Sequence, residues 1–213
     1  MIYSIDNKIA TENLVPGIKV YGEKLLEENE KEYRIWDPYR SKLAAALLNG
    51  LESLTIKPEH KILYLGASSG TTVSHISDIV NQGRIYAVEF SPRMMRELTK
   101  LSQNRPNIAP ILADATKPKK YIPLLEKVDM VYADVAQPTQ TELFMDNTEL
   151  FLKEDGIGVL VIKARSIDVT QKPQKIFKNE ESKLRTNGYN IIEKVKLDPY
   201  EKDHMLFIIE KTF

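Results

Sequence analysis

The sequence predicts an α/β fold with a mostly parallel β-sheet, a C-terminal antiparallel hairpin and a small β domain at the N-terminus. Three observations predict it. From Lys61 onward, nearly continuous apolar strands alternate with helical segments, which is typical of a parallel sheet covered on both faces. The last two predicted strands are joined only by DPYEKDH, which is too short for a crossover connection. Residues 1–36 instead show short alternating stretches broken by turns.

The first segment, residues 1–36, is predicted to form the small β domain, and residues 37–213 the main domain. The charge run EENEKE at residues 27–32 is most simply a solvated hairpin tip. The pattern then becomes helical over residues 37–51. Asp37-Pro38 is a plausible helix start, the Ala/Leu-rich stretch favours a helix, and Gly50 is a possible end.

The rest of the main domain alternates strands with helices. Strands are predicted at 61–65, 84–89, 108–112, 129–133, 157–163, 190–197 and 205–211, and helices near 71–80, 92–103, 119–126, 140–152 and 173–187. Five parallel strands followed by an antiparallel hairpin are the layout of the Rossmann-like fold of class I S-adenosylmethionine-dependent methyltransferases.

Length and composition narrow the class of protein. The 213 residues, of which 42% are hydrophobic and 28% charged, suit a globular chain with a substantial core. No apolar run predicts a membrane span, and the N-terminal residues do not resemble a signal peptide, so we expect a cytoplasmic protein. The absence of cysteine excludes disulfides, thiolate zinc sites and cysteine nucleophiles. Because the formal net charge is zero, any contact with nucleic acid would need a local patch or a partner.

A Gly/Ser/Thr-rich loop, GASSGTT at residues 66–72, follows the first parallel strand. It lacks the Gly-Lys-Ser/Thr of a Walker loop, and dinucleotide binding is a weak alternative because one glycine of that fingerprint is missing. Gly66 and Gly70 would let the backbone approach an amino-acid group, whose carboxylate the next helix N-terminus favours. Glu89 and Asp114 end the next two strands, where ribose hydroxyls and an adenine amino group could bind. Taken singly, Glu89 could equally be an acidic residue at the start of a helix, and Asp114 could equally be a turn-forming residue. Their occurrence at successive strand ends favours ligand binding.

Four other polar side chains are predicted to meet at the same edge of the sheet. Asp134 follows the fourth parallel strand, Lys163 ends the fifth, and His204 lies where the reversed last strand begins. Lys42 lies on the helix before the first strand, which in this fold can cross that edge. Such a set suits methylation of a hydroxyl, since a carboxylate or a lysine of depressed pKa can accept the proton and orientation supplies much of the acceleration. Alternatively, Lys163 is a strand-end lysine whose ammonium group reaches water, and His204 is a loop histidine whose hydrogen bonds are satisfied within the loop.

Several stretches of the sequence together resemble fibrillarin over essentially the whole chain. They are VPGIKVYGEK, WDPYRSKLAAAL, YLGASSGTTVSHISDIV, YAVEFSPR, YADVAQPTQT and PYEKDH. The chain lacks the Gly/Arg-rich N-terminal extension of eukaryotic fibrillarins and so resembles the archaeal form. The resemblance implies S-adenosyl-L-methionine as cofactor and 2′-O-methylation of ribose in rRNA and tRNA. It also implies a box C/D ribonucleoprotein with a Nop-domain scaffold protein, a kink-turn-binding protein and a guide RNA as partners.

The same resemblance implies which residues take part. The catalytic set would be Lys42, Asp134, Lys163 and His204, without a metal. Cofactor contacts, besides Gly66 and Gly70, would be Thr71, Thr72, Glu89, Phe90, Asp114, Ala115, Asp134, Val135, Ala136 and Gln137. A methyltransferase that acts on RNA without partners and a catalytically silent scaffold of the same fold are the alternatives. Whether Asp134 or a lysine takes the proton stays open at this point, and so does the identity of the methylated nucleotides.

Overall fold

The computed structural model describes residues 1–6 and 8–212, and its N-terminal part is a four-stranded antiparallel sheet. The strands are β1 (Ile2–Ile5), β2 (Lys8–Glu12), β3 (Leu25–Glu28) and β4 (Lys31–Ile35), in the order β1-β2-β4-β3. Asn29 and Glu30 form the turn between β3 and β4, with φ values of 52° and 63°. The charge run is therefore part of a tight, exposed hairpin. The sheet occupies the segment predicted to be β, while the domain boundary after residue 36 stays a prediction.

The main sheet has seven strands in the order β10-β11-β9-β8-β5-β6-β7. Its five parallel strands are β5 (Lys61–Leu65), β6 (Arg84–Glu89), β7 (Ile108–Leu112), β8 (Val128–Ala133) and β9 (Leu152–Lys163). β11 (His204–Lys211) is antiparallel to both β9 and β10 (Tyr189–Lys196). This arrangement confirms the predicted fold class.

The part of the chain that the structure describes also contains six α-helices and a 3₁₀ helix. They are α1 (Lys42–Leu48), α2 (Thr71–Ile79), α3 (Pro92–Gln103), the 3₁₀ helix Pro118–Leu124, α4 (Gln140–Phe151), α5 (Ala164–Ile167) and α6 (Pro173–Thr186). The short helix α5 was not predicted from the sequence. In the described residues, 1–6 and 8–212, no helix is both long enough and apolar enough to cross a membrane.

Two helical predictions need correction. The first helix begins after Ser41, not at Asp37-Pro38, because the Asp37 carboxylate accepts the Tyr39 N–H at 2.8 Å and forms a turn. Ser41 then caps α1 by accepting the N–H of Ala44. The segment predicted as a helix at 119–126 is a 3₁₀ helix with Pro123 inside it. A proline has no N–H to donate, so a regular α-helix is disfavoured there.

The central strand β5 is buried on both faces. Ile62 and Tyr64 pack into one apolar cluster, and Leu63 and Leu65 pack into the other cluster on the opposite face. This alternation follows from the two-residue period of a strand. Because both faces of the sheet are filled with apolar side chains, polar functional groups are left to the ends of the strands.

A buried cluster of charged residues joins the N-terminal sheet to the main domain. The Arg34 side chain on β4 is completely buried, with Nε 2.6 Å from Glu23 Oε1 and Nη1 2.8 Å from Asp78 Oδ2. The guanidinium of Arg105 lies 2.5 Å from the other Asp78 oxygen. Since buried charges are tolerated only when they are paired, this cluster fixes how the two parts pack.

His75 belongs to the same interface, and its ring contacts residues of the N-terminal segment. Its Nδ1 is 2.8 Å from Thr11 Oγ1 and its Nε2 is 2.8 Å from Tyr21 Oη, while the ring stacks on Trp36. Burial, together with the guanidinium groups of Arg34 and Arg105, lowers the pKa of His75 well below its usual value. His75 is thus a neutral packing residue.

We expect Arg34→Ala to lower the free energy of unfolding by about 3–5 kcal/mol, because buried carboxylates lose their partner. Lys31→Ala, on the same strand, is the control: Lys31 pairs with Glu12 on the surface, where solvent screens the interaction, so its loss should change stability far less. Urea titrations followed by the fluorescence of the single tryptophan, Trp36, measure both changes. Equal effects of the two substitutions would contradict this account of the interface.

Candidate active site

The four side chains predicted to meet at the carboxyl edge of the sheet do lie together. Asp134 follows β8, Lys163 ends β9, and His204 begins β11 directly opposite Lys163 in the antiparallel ladder. Lys42 is the first residue of α1. The Lys163 Nζ is 2.8 Å from Asp134 Oδ1, and the Lys42 Nζ is 3.5 Å from Asp134 Oδ2. One carboxylate is therefore held between two ammonium groups from different elements.

The surroundings of Asp134 keep its carboxyl group ionised. The side chain is only 14% exposed, and burial by itself would raise its pKa. The positive charges of Lys163 and Lys42, a hydrogen bond from Lys163 and the nearby His204 outweigh burial and hold the pKa of Asp134 below its usual value. At neutral pH Asp134 is consequently an anion that accepts hydrogen bonds.

The buried side chain of Gln140, at the start of α4, positions Lys163. Its Oε1 accepts the Lys163 N–H at 2.9 Å, and its Nε2 donates to the carbonyl oxygens of Lys163 at 3.3 Å and Gln137 at 2.9 Å. The ladder between β8 and β9 ends at Ala133 and Leu160, three residues before Lys163. The Gln140 amide therefore satisfies the backbone N–H and carbonyl groups of Lys163, which a neighbouring strand would otherwise pair, and connects Lys163 to the loop after β8.

A cavity of about 390 Å³ lies beside Asp134, at the ends of β5, β6, β7 and β8. Nine of the residues predicted to contact a cofactor line it: Gly66, Glu89, Phe90, Asp114, Ala115, Asp134, Val135, Ala136 and Gln137. Lys163 also lines it, as do five residues that were not predicted: Ser68, Val88, Ser91, Met94 and Ala113. The cavity and the charged set are therefore continuous.

Gly66 allows the loop after β5 to approach the chain that carries Asp134. Its φ is +82°, and its N–H and that of Ala67 both donate to the carbonyl oxygen of Val88 at 3.0 Å. A Cβ added to Gly66 would lie 2.5 Å from the carbonyl oxygen of Asp134. Only glycine fits this position without moving the loop or Asp134.

Two carboxylates stand at successive strand ends of the cavity. The buried Glu89 accepts the backbone N–H groups of Ser68 at 2.8 Å and Ser91 at 2.7 Å, and so connects the loops after β5 and β6. Asp114 accepts the side-chain hydroxyl and the backbone N–H of Thr116, and these hydrogen bonds lower the pKa of Asp114. Ordered carboxylates at these ends can accept hydrogen bonds from hydroxyl or amino groups of a ligand.

The comparisons with known proteins identify the family. The fibrillarin family model matches residues 2–212. The chain belongs to the fibrillarin family. Among curated relatives, the fibrillarin-like rRNA/tRNA 2′-O-methyltransferase of Methanothermobacter thermautotrophicus is 54% identical, with 99% of this chain and 94% of that protein covered. The Pyrococcus abyssi protein of the same name is 52% identical, with 96% and 90% covered.

Solved structures of fibrillarins have the same fold. The Methanococcus jannaschii fibrillarin pre-rRNA processing protein is 48% identical, with a TM-score of 0.94 and coverage of 99% of this chain and 97% of that one. Aeropyrum pernix fibrillarin in complex with natively bound S-adenosyl-L-methionine is 50% identical, with a TM-score of 0.89 and coverage of 98% and 92%. The chain in a fibrillarin/Nop5p complex is 42% identical, with a TM-score of 0.92 and coverage of 99% and 97%.

Three predicted cofactor contacts do not line the cavity: Gly70, which was predicted from the loop sequence, and Thr71 and Thr72, which the resemblance to fibrillarin implies. Gly70 precedes α2 with φ +95°, and a Cβ there would overlap the Leu101 side chain. The Thr72 hydroxyl lies 2.9 Å from that of Ser41, the residue that caps α1. Thr72 thus connects α2 with the helix that carries Lys42, and the cofactor contacts of these three residues stay predictions.

Some residues of the site were not predicted, and they differ in whether the sequence contains a pattern that could have identified them. Ser91 is the N-cap of α3, so the Ser-Pro sequence after β6 could have identified it. Ser68 has a φ of 50° inside the loop, which nothing in its residue type predicts. Gln140 looked like an ordinary residue of a helix start, because its contact with Lys163 spans 23 positions of the chain.

We expect Gly66→Ala to destabilise the protein more than Gly17→Ala does. Gly17 has the same φ of +82° but open space where a Cβ would go, so it is a matched control for backbone strain alone. The strain should cost about 1–2 kcal/mol at either position, and the collision with the Asp134 carbonyl should add about 1–3 kcal/mol at Gly66. Chemical denaturation measures the free energy of unfolding of both variants. Equal decreases would contradict this account, because they would mean that the loop moves away from the Asp134 carbonyl at no energetic cost.

Proposed function

We propose that this chain transfers a methyl group from S-adenosyl-L-methionine to ribose 2′-hydroxyl groups of rRNA and tRNA. The observation that carries this proposal is the ionised Asp134, held between Lys42 and Lys163 at the side of a cavity bordered by two further carboxylates. The names of the close relatives, fibrillarin-like rRNA/tRNA 2′-O-methyltransferases, support it. The solved fibrillarin with natively bound S-adenosyl-L-methionine supports the choice of cofactor.

The residues of the cavity fit this cofactor. A volume of about 390 Å³ lies within the range of small-molecule sites. Glu89 would accept hydrogen bonds from the ribose hydroxyls and Asp114 from the adenine amino group, while the exposed ring of Phe90 offers an apolar surface. The backbone at Gly66 forms a cradle that a Cβ would fill, as close approach to an amino-acid group requires.

The residues around Asp134 can orient a hydroxyl group and take its proton. When bound, S-adenosylmethionine supplies an electrophilic methyl group on a sulfonium centre. The Asp134 carboxylate can accept the hydrogen bond of the 2′-hydroxyl and direct an oxygen lone pair toward the methyl carbon. A carboxylate with a lowered pKa is a weak base toward an alcohol. However, the oxygen becomes strongly acidic as its bond to carbon forms, so Asp134 can accept the proton late in the reaction.

The two lysines have complementary roles in this proposal. Their ammonium groups keep Asp134 ionised and hold it in place, and each retains N–H donors for a phosphate or a ribose oxygen of RNA. Lys163 is fixed through Gln140 and Lys42 through the capped start of α1. Preorganised charges of this kind require little rearrangement during the reaction.

We further propose that the chain is the catalytic subunit of a box C/D guide ribonucleoprotein. Its partners would be a Nop-domain scaffold protein, a kink-turn-binding protein and a guide RNA that pairs with the target. The similarity to the fibrillarin of a fibrillarin/Nop5p complex supports the scaffold partner. The formal net charge of zero also supports the use of partners, because a protein that binds RNA alone usually carries a basic surplus.

We expect Asp134→Asn to reduce the single-turnover rate of methyl transfer in the reconstituted particle by at least about 100-fold. The amide neither carries the charge that holds the lysines nor accepts a proton. Asp129→Asn is the control, since Asp129 lies near the start of β8, the strand that Asp134 follows, but pairs with Lys153 outside the cavity. Methyl transfer that Asp134→Asn leaves intact would refute the catalytic role of Asp134, and a wild-type particle without activity would favour the silent scaffold.

We expect the isolated chain to bind S-adenosylmethionine in a calorimeter but to methylate RNA poorly. Addition of the guide RNA, scaffold protein and kink-turn-binding protein should raise the rate, because they bring the target ribose to the edge that carries Asp134. A guide RNA without pairing to the target is the control. Efficient, site-specific methylation by the chain alone would instead support the enzyme that acts on RNA without partners.

A further inference from the structure

Glu201, in the loop between β10 and β11, lies between two of the residues assigned to catalysis. Its Oε1 is 3.7 Å from Lys42 Nζ, and its Oε2 is 4.0 Å from His204 Nδ1. The Glu201 side chain is 28% exposed, and its N–H donates to the Leu197 carbonyl oxygen at 2.9 Å. A short turn of the backbone therefore holds this carboxylate against groups from α1 and β11.

With Glu201 included, charges of alternating sign run along the edge of the sheet. Lys163 is 2.8 Å from Asp134, Asp134 is 3.5 Å from Lys42, and Lys42 is 3.7 Å from Glu201. His204 follows at 4.0 Å from Glu201, and its backbone pairs with that of Lys163. The five residues thus form a ring that the backbone pairing of His204 with Lys163 closes, and in which Glu201 lies between Lys42 and His204.

A hydrogen bond of the His204 ring shows which of its nitrogen atoms carries the hydrogen on the side of Glu201. The His204 Nδ1 lies 2.7 Å from the carbonyl oxygen of Lys202. A carbonyl oxygen only accepts, so Nδ1 carries the hydrogen and a neutral His204 has its free lone pair on Nε2. The Glu201 charge on the Nδ1 side favours this orientation of the ring.

We propose that Glu201 is a positioning residue for the methyl transfer, which acts through Lys42 and His204; this inference rests on the proposed function. Without Glu201, the Lys42 ammonium would have Asp134 as its remaining carboxylate partner in the ring and would be drawn toward it. The two lysines and two carboxylates of the ring sum to zero charge when His204 is neutral, so loss of Glu201 leaves a net positive ring. Such a ring attracts RNA phosphates more strongly while its groups are less well placed for the reaction.

Glu201→Gln tests this proposal because it removes the charge and keeps the shape. In the reconstituted particle, we expect the single-turnover rate at saturating S-adenosylmethionine to fall by about 10- to 100-fold. The KM for target RNA should stay the same or decrease, since the ring has lost a negative charge. Glu201→Asp keeps the carboxylate and should restore part of the rate. Glu210→Gln, an exposed carboxylate toward the other end of β11, should behave as the wild type.

The outcomes separate this proposal from the proposed function. A wild-type particle that does not methylate RNA overturns both. If the wild type is active and Glu201→Gln has the same rate, Glu201 is a surface ion-pair partner only and the present proposal alone fails. A slower Glu201→Gln with weaker RNA binding, reduced stability and no rescue by Glu201→Asp would show a structural role and would also overturn it.

Discussion

The site depends on one interaction: ammonium groups from two other elements stabilise the negative charge of the largely buried Asp134 carboxylate. Lys163 comes from the end of β9 and Lys42 from the start of α1, so the contact requires the sheet and the helix to be correctly placed. If either lysine moved away, the pKa of Asp134 would rise, because burial opposes ionisation and one stabilising positive charge would be lost. The fold and the ionisation of the site are therefore linked.

The protein uses buried charge in two different ways. In the cluster of Arg34, Asp78 and Arg105 the groups are almost completely excluded from solvent, and hydrogen bonds connect the three side chains. The groups around Asp134 keep 14–17% of their side-chain surface exposed and pair at longer distances on the Lys42 side. The first cluster has little capacity for another partner and holds two parts of the fold together, whereas the second retains access for a substrate.

Much of the architecture could be predicted from the sequence because it follows from local patterns and from topology. Runs such as KILYL and RIYAVE identify buried strands, and the carboxyl ends of parallel strands share an edge, which brings Asp134 and Lys163 together. The short link before β11 places His204 at that edge as well. What escaped prediction depends on contacts between distant parts of the chain: Gln140 on α4 contacts the end of β9, and Glu201 contacts Lys42 from a backbone turn that residue types do not define. The start of α1 was misplaced because the Asp37 carboxylate forms a turn before Ser41 caps the helix.

The Gln140 amide has a mechanical consequence for ligand binding. It joins the Gln137 carbonyl, in the loop that borders the cavity, to the backbone of Lys163 through partly buried hydrogen bonds. A ligand that displaces this loop must either carry the end of β9 with it or break a hydrogen bond inside the protein, which is unfavourable. The position of the loop that borders the cavity and the position of the Lys163 backbone are thereby coupled through a single side chain.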